Sequence, residues 1–352
     1  MKLHYPKSHY NKAHRGLVFP LLKPFIKNEG FTDAERMALY GISERDFEFV
    51  EAMEAADWVI LPMAWNYYLK TKQEKLAITF VKECAAANKK VIAFNAGDFG
   101  VKMPYFENLI ILRFSGYKSK FSKNEFALPP FIADPLRKYY QRDEVFLRPY
   151  GPKPVLGFCG QANGAVWNAV KEIGSTFLRN SRTYLGSSNE EPQQLLSTSY
   201  LRAAVLNSLQ QDEGLNTNFI LRKKYRAGVK DQKDTHQTTL EFYDNLRDSD
   251  YVLCVRGAGN FSVRFYETLA MGRIPVFVDT DCALPMEDTI EWKKHVVWVE
   301  YDNRQQVREK VSEFHKNLTD KGFLDLQKSN RKLWEEHLTL GGFFQFFVNS
   351  KY

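Results

Sequence analysis

Between residues 249 and 278 the chain reads SDYVLCVRGAGNFSVRFYETLAMGRIPVFV: an apolar run, a glycine-bearing loop, a helical pattern and a second apolar run. Several of its residues can act together on an anion. Gly257 and Gly259 open the loop so that backbone N–H groups can face a ligand, and Ser262 stands at the N-cap position before VRFYETLAM. A helix N-terminus fronted in this way carries unsatisfied N–H groups and the positive end of the helix dipole. Arg256 ends the first apolar run and Arg264 falls in the first helical turn, so both guanidinium groups are expected to reach one anion. Two arginines suit a diphosphate better than a single phosphate. Glu267, one helical turn beyond Arg264, can accept hydrogen bonds from a diol such as a ribose. Together the set predicts a nucleotide diphosphate pocket. Taken singly, each residue has a structural alternative: a turn glycine, or an Arg264–Glu267 surface pair worth a few tenths of a kcal/mol.

These residues need a frame that holds the loop and the helix start at one edge. Only Gly272 and Arg273 separate the helical pattern from the next apolar run, so the unit reads as a βαβ crossover with parallel strands and a left-handed glycine at the helix end. ADWVILPMAW (56–65), KKVIAFNAGD (89–98) and NLIILRFS (108–115) read as strands, the first two flanking an amphipathic segment. RPYGPKP (148–154) reads as a linker. After it, VLGFCGQANGAVWNAVKEIG restarts the pattern with a strand, a glycine turn at Gly160 and a helix presenting Val166, Ala169, Val170 and Ile173 on one face. NFILRKK (218–224), IPVFV (274–278) and HVVWVE (295–300) supply later strands. The expectation is α/β, two Rossmann-like domains over 1–150 and 151–330 facing a cleft, and a C-terminal segment over 331–352 crossing back to the first. The four phenylalanines of LGGFFQFFVNSKY would form the buried face of that last helix, although membrane contact is a second reading for them.

Composition sets outer bounds. With 352 residues, 44% of them hydrophobic, two cores can be built, and the net charge of +7 suits anionic ligands, an anionic membrane surface or nucleic acid. Nucleic acid is the weakest of these, because no basic stripe or base-stacking motif is present. Cys84, Cys159, Cys254 and Cys282 lack ligand or disulfide spacing and read as reduced core thiols. MKLHYPKSHYNKAHR has no hydrophobic signal core, and GLVFPLLKPFI is short and broken by Pro20, Lys23 and Pro24. A soluble, cytoplasmic chain is expected, with peripheral membrane contact as an option.

Residues 249–300 resemble the shared block of the exostosin-like glycosyltransferases (GT47-like): an apolar strand, an arginine–glycine loop, Ser-x-Arg, a glutamate, IPV, a Leu-Pro pair and an acidic residue four before an aromatic one. The matching residues are Arg256, Gly257, Ser262, Arg264, Glu267, Ile274, Pro275, Val276, Leu284, Pro285, Asp288 and Trp292. ADWVILPMAW and PVLGFCGQANG resemble the opening strands of the family's two domains more faintly. The resemblance implies a GT-B architecture and inverting transfer from a UDP-sugar to a glycan acceptor, oligosaccharide or lipid-linked, in cell-surface or capsular polysaccharide synthesis. It also implies donor roles for Arg256, Ser262, Arg264 and Glu267. The sequence departs from the family at Val255, where proline is frequent, and in a His- and Asp-rich segment represented here only by NAGDFG.

Inversion requires a base that deprotonates the acceptor hydroxyl on the face opposite the departing diphosphate, while positive groups stabilise the leaving charge. Asp98, ending KVIAFNAGD, is the best-placed carboxylate of the first domain; its alternative is a turn residue or helix cap. His236, read as preceding the helix TTLEFYDNLRDS, and Asp281 are further candidates for sugar or pocket contact, as are Gly160 and Asp288, the last read as one helical turn from Trp292. Asp279 and Asp281 read as turn or sugar-contact residues and not as metal ligands, and no metal or other cofactor is expected. The competing function is a catalytically inactive, donor-shaped module supporting a partner glycosyltransferase.

Overall fold

The computed structural model describes residues 1–27, 30–209, 214–222 and 232–351. In the N-terminal half, β1 (Lys2–His4), α1 (Asp33–Tyr40), β2 (Glu48–Phe49), β3 (Trp58–Ile60), α2 (Trp65–Lys70), α3 (Glu74–Ala86), β4 (Val91–Asn95), β5 (Leu109–Arg113), β6 (Glu125–Ala127) and α4 (Pro135–Tyr140) follow in order. The strands form one parallel sheet, ordered β2-β1-β3-β4-β5-β6. β4 and β5 are apolar at nearly every position because both their faces are covered, as central strands of a parallel sheet require.

The second half contributes β7 (Val155–Gln161), α5 (Val166–Tyr184), α6 (Thr198–Leu209), β8 (Asn216–Arg222), α7 (Gln232–Arg247), β9 (Tyr251–Cys254), α8 (Val263–Ala270), β10 (Ile274–Asp279) and β11 (Val297–Glu300). Its parallel sheet is ordered β11-β10-β9-β7-β8. Strand order reverses between β7 and β9, which pair through Leu156–Tyr251 and Gly157–Val252, so the crevice of this sheet opens at their carboxyl ends. The fold is thus α/β with two Rossmann-like parallel sheets. Of the strand read over 218–224, residues 223 and 224 lie outside the described residues.

The βαβ unit forms as its local signals require. Ser262 has extended backbone at the N-cap of α8, although its side chain makes no capping bond. Gly272 adopts φ +66° just past the helix, and a Cβ there would also press to 3.0 Å from the Gln327 carbonyl. After α9 (Val307–Lys316) and α10 (Asp320–Leu333), α11 (Leu340–Lys351) returns to the first half. Its buried Phe343, Phe344 and Phe347 meet Phe131, Phe19 and Phe126, with ring centroids 5.5–6.1 Å apart for these pairs. Burial of these rings favours the core reading of the cluster over membrane contact. Arg331 locks the crossing with two hydrogen bonds to Asp134 and one to the Ala270 carbonyl.

Two expectations about helices are overturned. Val166 and Val170 of α5 face solvent, whereas Ala169 is buried, so the residues grouped on one face are split. Asp288 and Trp292 do not share a helix: 285–289 is a run of turns and Trp292 opens a separate short 3-10 turn. Trp292 is buried on Phe265 and donates its indole N–H to the Pro285 carbonyl, supporting the loop from below. All four cysteines are buried and free. No helix among the described residues is long and apolar enough to cross a membrane.

Candidate active site

Arg264 extends from the first turn of α8 into the switch-point crevice. Its Nη2 donates to the Cys159 carbonyl at the end of β7 (2.9 Å), and its guanidinium lies 4.2 Å from the centre of the Phe158 ring. The space exists because residue 160 is glycine; a Cβ there would overlap Arg264 Nη2. Gly160, a candidate for sugar or pocket contact, makes room for the cation. Burial lowers the Arg264 pKa from its ordinary value, and its Nε has no hydrogen-bond partner.

Arg256, 4% exposed, leaves the other side of the loop. Its Nη1 donates to the Tyr117 hydroxyl of the N-terminal half (3.2 Å) and its Nη2 to the Ala258 carbonyl (3.3 Å). The two arginines thus flank the loop and share no protein partner. Neither forms an ion pair with a carboxylate among the described residues. Arg202, from α6, ties the Arg256 carbonyl to the Gln161 carbonyl, joining the arginine–glycine loop to the glycine turn after β7. Gly257 turns the loop, its N–H bonded to the Phe261 carbonyl.

Glu267 accepts a hydrogen bond from the Tyr243 hydroxyl of α7 (3.2 Å), and Tyr243 stacks on Tyr139 of α4 at 4.8 Å. Burial, and then the neighbouring Glu267, pushes the Tyr243 phenol pKa up, so it stays a donor that orients the carboxylate. His236 lies inside α7 instead of ahead of it, exposed, with its ring 6.3 Å from that of Tyr139. It sits at the outer rim of this wall.

Across the crevice, the loop after β4 carries Asp98. Asn95 clamps it by bonding both the N–H and carbonyl of Val101, and Asn66 does the same to Ala96. Gly97 and Gly100 take positive φ, and Phe99 lies beneath the Arg179 guanidinium at 3.8 Å. Asp98 is exposed, and its carboxylate accepts no hydrogen bond among the described residues. No helix follows, so it is not a helix cap. Its backbone touches the donor-side loop: a Cβ at Gly259 would stand 2.5 Å from the Asp98 carbonyl oxygen. Residues 98 and 259, far apart in sequence, thus meet.

The remaining candidates have structural partners. The Asp281 carboxylate accepts bonds from the Ser119 N–H (3.0 Å) and hydroxyl (2.5 Å), so it latches the two halves together. Asp279 accepts from the Cys282 N–H, as a turn residue does. Asp288 is exposed in its turn. Asn260, buried and unremarked in the sequence, bonds Ser115, Gly116, Thr280 and Asp281. No spacing signal marks Asn260, Tyr117 or Asn66, since each acts on groups remote in sequence, and Asn95 is hidden within an apolar strand although its partner Val101 is only six residues on. A cavity of about 560 Å³ lined by Leu39, Tyr40, Phe131 and Trp334 lies at the C-terminal crossing and contains none of the predicted site residues.

The chain matches the Exostosin GT47 domain over residues 136–314, from α4 to α9. No curated protein matches the sequence. Among solved structures, it is similar to TarM, at 10% identity and a TM-score of 0.35, the alignment covering 74% of this chain and 50% of that one. It is also similar to the apo form of the lipopolysaccharide outer core galactosyltransferase WaaB, at 13% identity and a TM-score of 0.39, with 99% of each chain covered. The chain thus spans half the length of TarM. The domain match takes in just over half of the chain, including the whole β7-to-β11 sheet with its arginine–glycine loop, and by it this protein belongs to the exostosin GT47 family of glycosyltransferases.

Proposed function

We propose that the protein is an inverting glycosyltransferase that moves a sugar from a nucleotide-sugar, with UDP as the nucleotide, to a glycan acceptor of a cell-surface or capsular polysaccharide. One observation carries the reading: Arg256, buried, and Arg264, half-buried, stand at a glycine-lined switch point with neither in ion-pair contact with a carboxylate among the described residues, although Glu267 acts on Arg264 electrostatically. A cation so placed is costly until an anion joins it. A diphosphate fits, with its charge further met by the first turn of α8. Glu267, oriented by Tyr243, would accept the ribose hydroxyls.

Asp98 would act as the base from the opposite wall. Its carboxylate takes the proton of the acceptor hydroxyl as that oxygen bonds to the anomeric carbon, and the bond from that carbon to the diphosphate breaks on the far face. The leaving nucleoside diphosphate keeps the bonding electrons, and the two arginines hold its charge. This arrangement supplies the positive field without a metal. The inter-domain contacts through Asn260, Tyr117 and Asp281 describe a closed cleft, so donor entry would require the halves to part.

The deciding experiment is a panel of nucleotide-sugars, scored for release of nucleoside diphosphate, alongside calorimetric titration with UDP. Binding with release supports transfer. Binding without release from any sugar would favour the inactive donor-shaped module, and absence of both would refute the site.

A further inference from the structure

Helix α5 is built with its polar side inward. Glu172 turns into the protein and accepts hydrogen bonds from Ser197 (2.7 Å) and Ser199 (2.5 Å), while Asn180 exchanges two bonds with the backbone of Gln193. Thr183 is buried on the same side. The opposite side is apolar and open: Val166, Trp167, Val170, Phe177, Leu178 and Tyr184 are 53–75% exposed. At 100° per residue these six fall in one stripe, and over 19 residues the helix is about 28 Å long. A contiguous apolar surface of this extent marks a contact face.

The charges say what it contacts. The one acidic residue of α5, Glu172, is spent inside the protein, and Arg179 is engaged with Glu190 and Phe99. Lys171 and Arg182 remain exposed along one margin of the stripe, with no acidic partner among the described residues. We propose that this face of α5 docks on an anionic lipid surface. The stripe is convex, which suits a plane better than a groove would. Trp167 and Tyr184, near its two ends, have the amphipathic rings that settle at a headgroup layer, and the two cations would meet lipid phosphates. A second copy seated on the same stripe by two-fold pairing would bring these cations to like charges instead. Because α5 starts five residues after the end of β7, docking would hold the crevice mouth near the membrane. The proposal is independent of the nucleotide reading.

The test uses the whole chain with vesicles of phosphatidylcholine alone or mixed with phosphatidylglycerol, measuring co-sedimentation and tryptophan emission. Trp167 is the exposed indole, 68%, whereas Trp58, Trp65, Trp292 and Trp334 are buried and Trp298, on β11 and away from α5, is half-buried, so binding should shift emission to the blue and Trp167→Phe should abolish the shift. Two further variants, Phe177→Ser with Leu178→Ser and Lys171→Glu with Arg182→Glu, should each lower partitioning onto the mixed vesicles by roughly tenfold or more at unchanged melting temperature. Failure of the wild-type chain to bind mixed vesicles, or unchanged binding by both variants, would overturn the proposal. So would a concentration-dependent dimer abolished by the Phe177→Ser, Leu178→Ser variant.

Discussion

Replacing Gly160 by alanine puts one methyl group against the guanidinium of Arg264. The added Cβ would overlap Nη2 while standing 3.6 Å from the Phe158 ring, an ordinary contact. Relief to a normal separation of about 3.5 Å requires a displacement of roughly 1 Å. That is enough to take Nη2 out of hydrogen-bond range of the Cys159 carbonyl, now 2.9 Å away, and to tilt the guanidinium off the Phe158 ring. The atom that moves is the end of a long side chain, and the strand backbone at Gly160 needs no left-handed φ, so the fold should be spared. We expect a melting temperature within about 4 °C of wild type. A diphosphate should lose a charge-assisted partner worth about 1.5–3 kcal/mol, weakening UDP binding about tenfold to a hundredfold. Calorimetry with UDP reads this directly, and Gly151→Ala, where a Cβ meets nothing within 4 Å, is the control. Unchanged UDP affinity in a folded Gly160→Ala protein would refute the role given to Arg264.

Gly259→Ala should act on the other joint: its Cβ would sit 2.5 Å from the Asp98 carbonyl oxygen and 3.0 Å from the Asp98 Cα, on a loop clamped by Asn66 and Asn95. We expect transfer to fall by about a hundredfold with the misplaced base, and a wild-type rate would show that this closed contact is not needed. Asp98→Asn keeps the shape and should leave UDP affinity and melting temperature nearly unaltered while lowering transfer by roughly a hundredfold or more; a near wild-type rate places the base elsewhere. Turnover should persist in EDTA, and complete loss restored by Mn²⁺ or Mg²⁺ would sink the metal-free reading. His9 is buried beside Tyr68 and Phe80, and burial lowers its pKa from the ordinary 6.5. The unfolded chain therefore takes up that proton first, so stability should fall as pH drops below about 6.5, and His9→Phe should flatten the decline in melting temperature.

The sequence by itself determined the elements whose signals are local. The β9–α8–β10 unit is legible because an apolar run, an N-cap serine and a glycine that must adopt φ +66° all act within a few residues of one another. The phenylalanines of α11 point to an apolar face because they cluster within five residues, and their burial in the structure decides for the core over a membrane. The strands β1, β2 and β6 were not legible, since two or three residues carry no period and, unlike the equally short β3, they do not sit in a longer apolar run.

Tertiary structure decided the side and the partner. The period of α5 is plain in the sequence, but period alone does not say which face is covered. Ser197, Ser199 and Gln193 satisfy Glu172 and Asn180 from inside, and the apolar stripe is left outside. Asp281 could have met a sugar, a metal or its own turn, and was assigned to Ser119 by the approach of the other half. Asp98 and Gly259 meet only when both sheets are in place, because a glycine's missing Cβ has meaning only against the backbone that fills its space. Local propensity is set by neighbours along the chain, whereas burial and hydrogen-bond partnership are set by neighbours in space, which one sequence does not display.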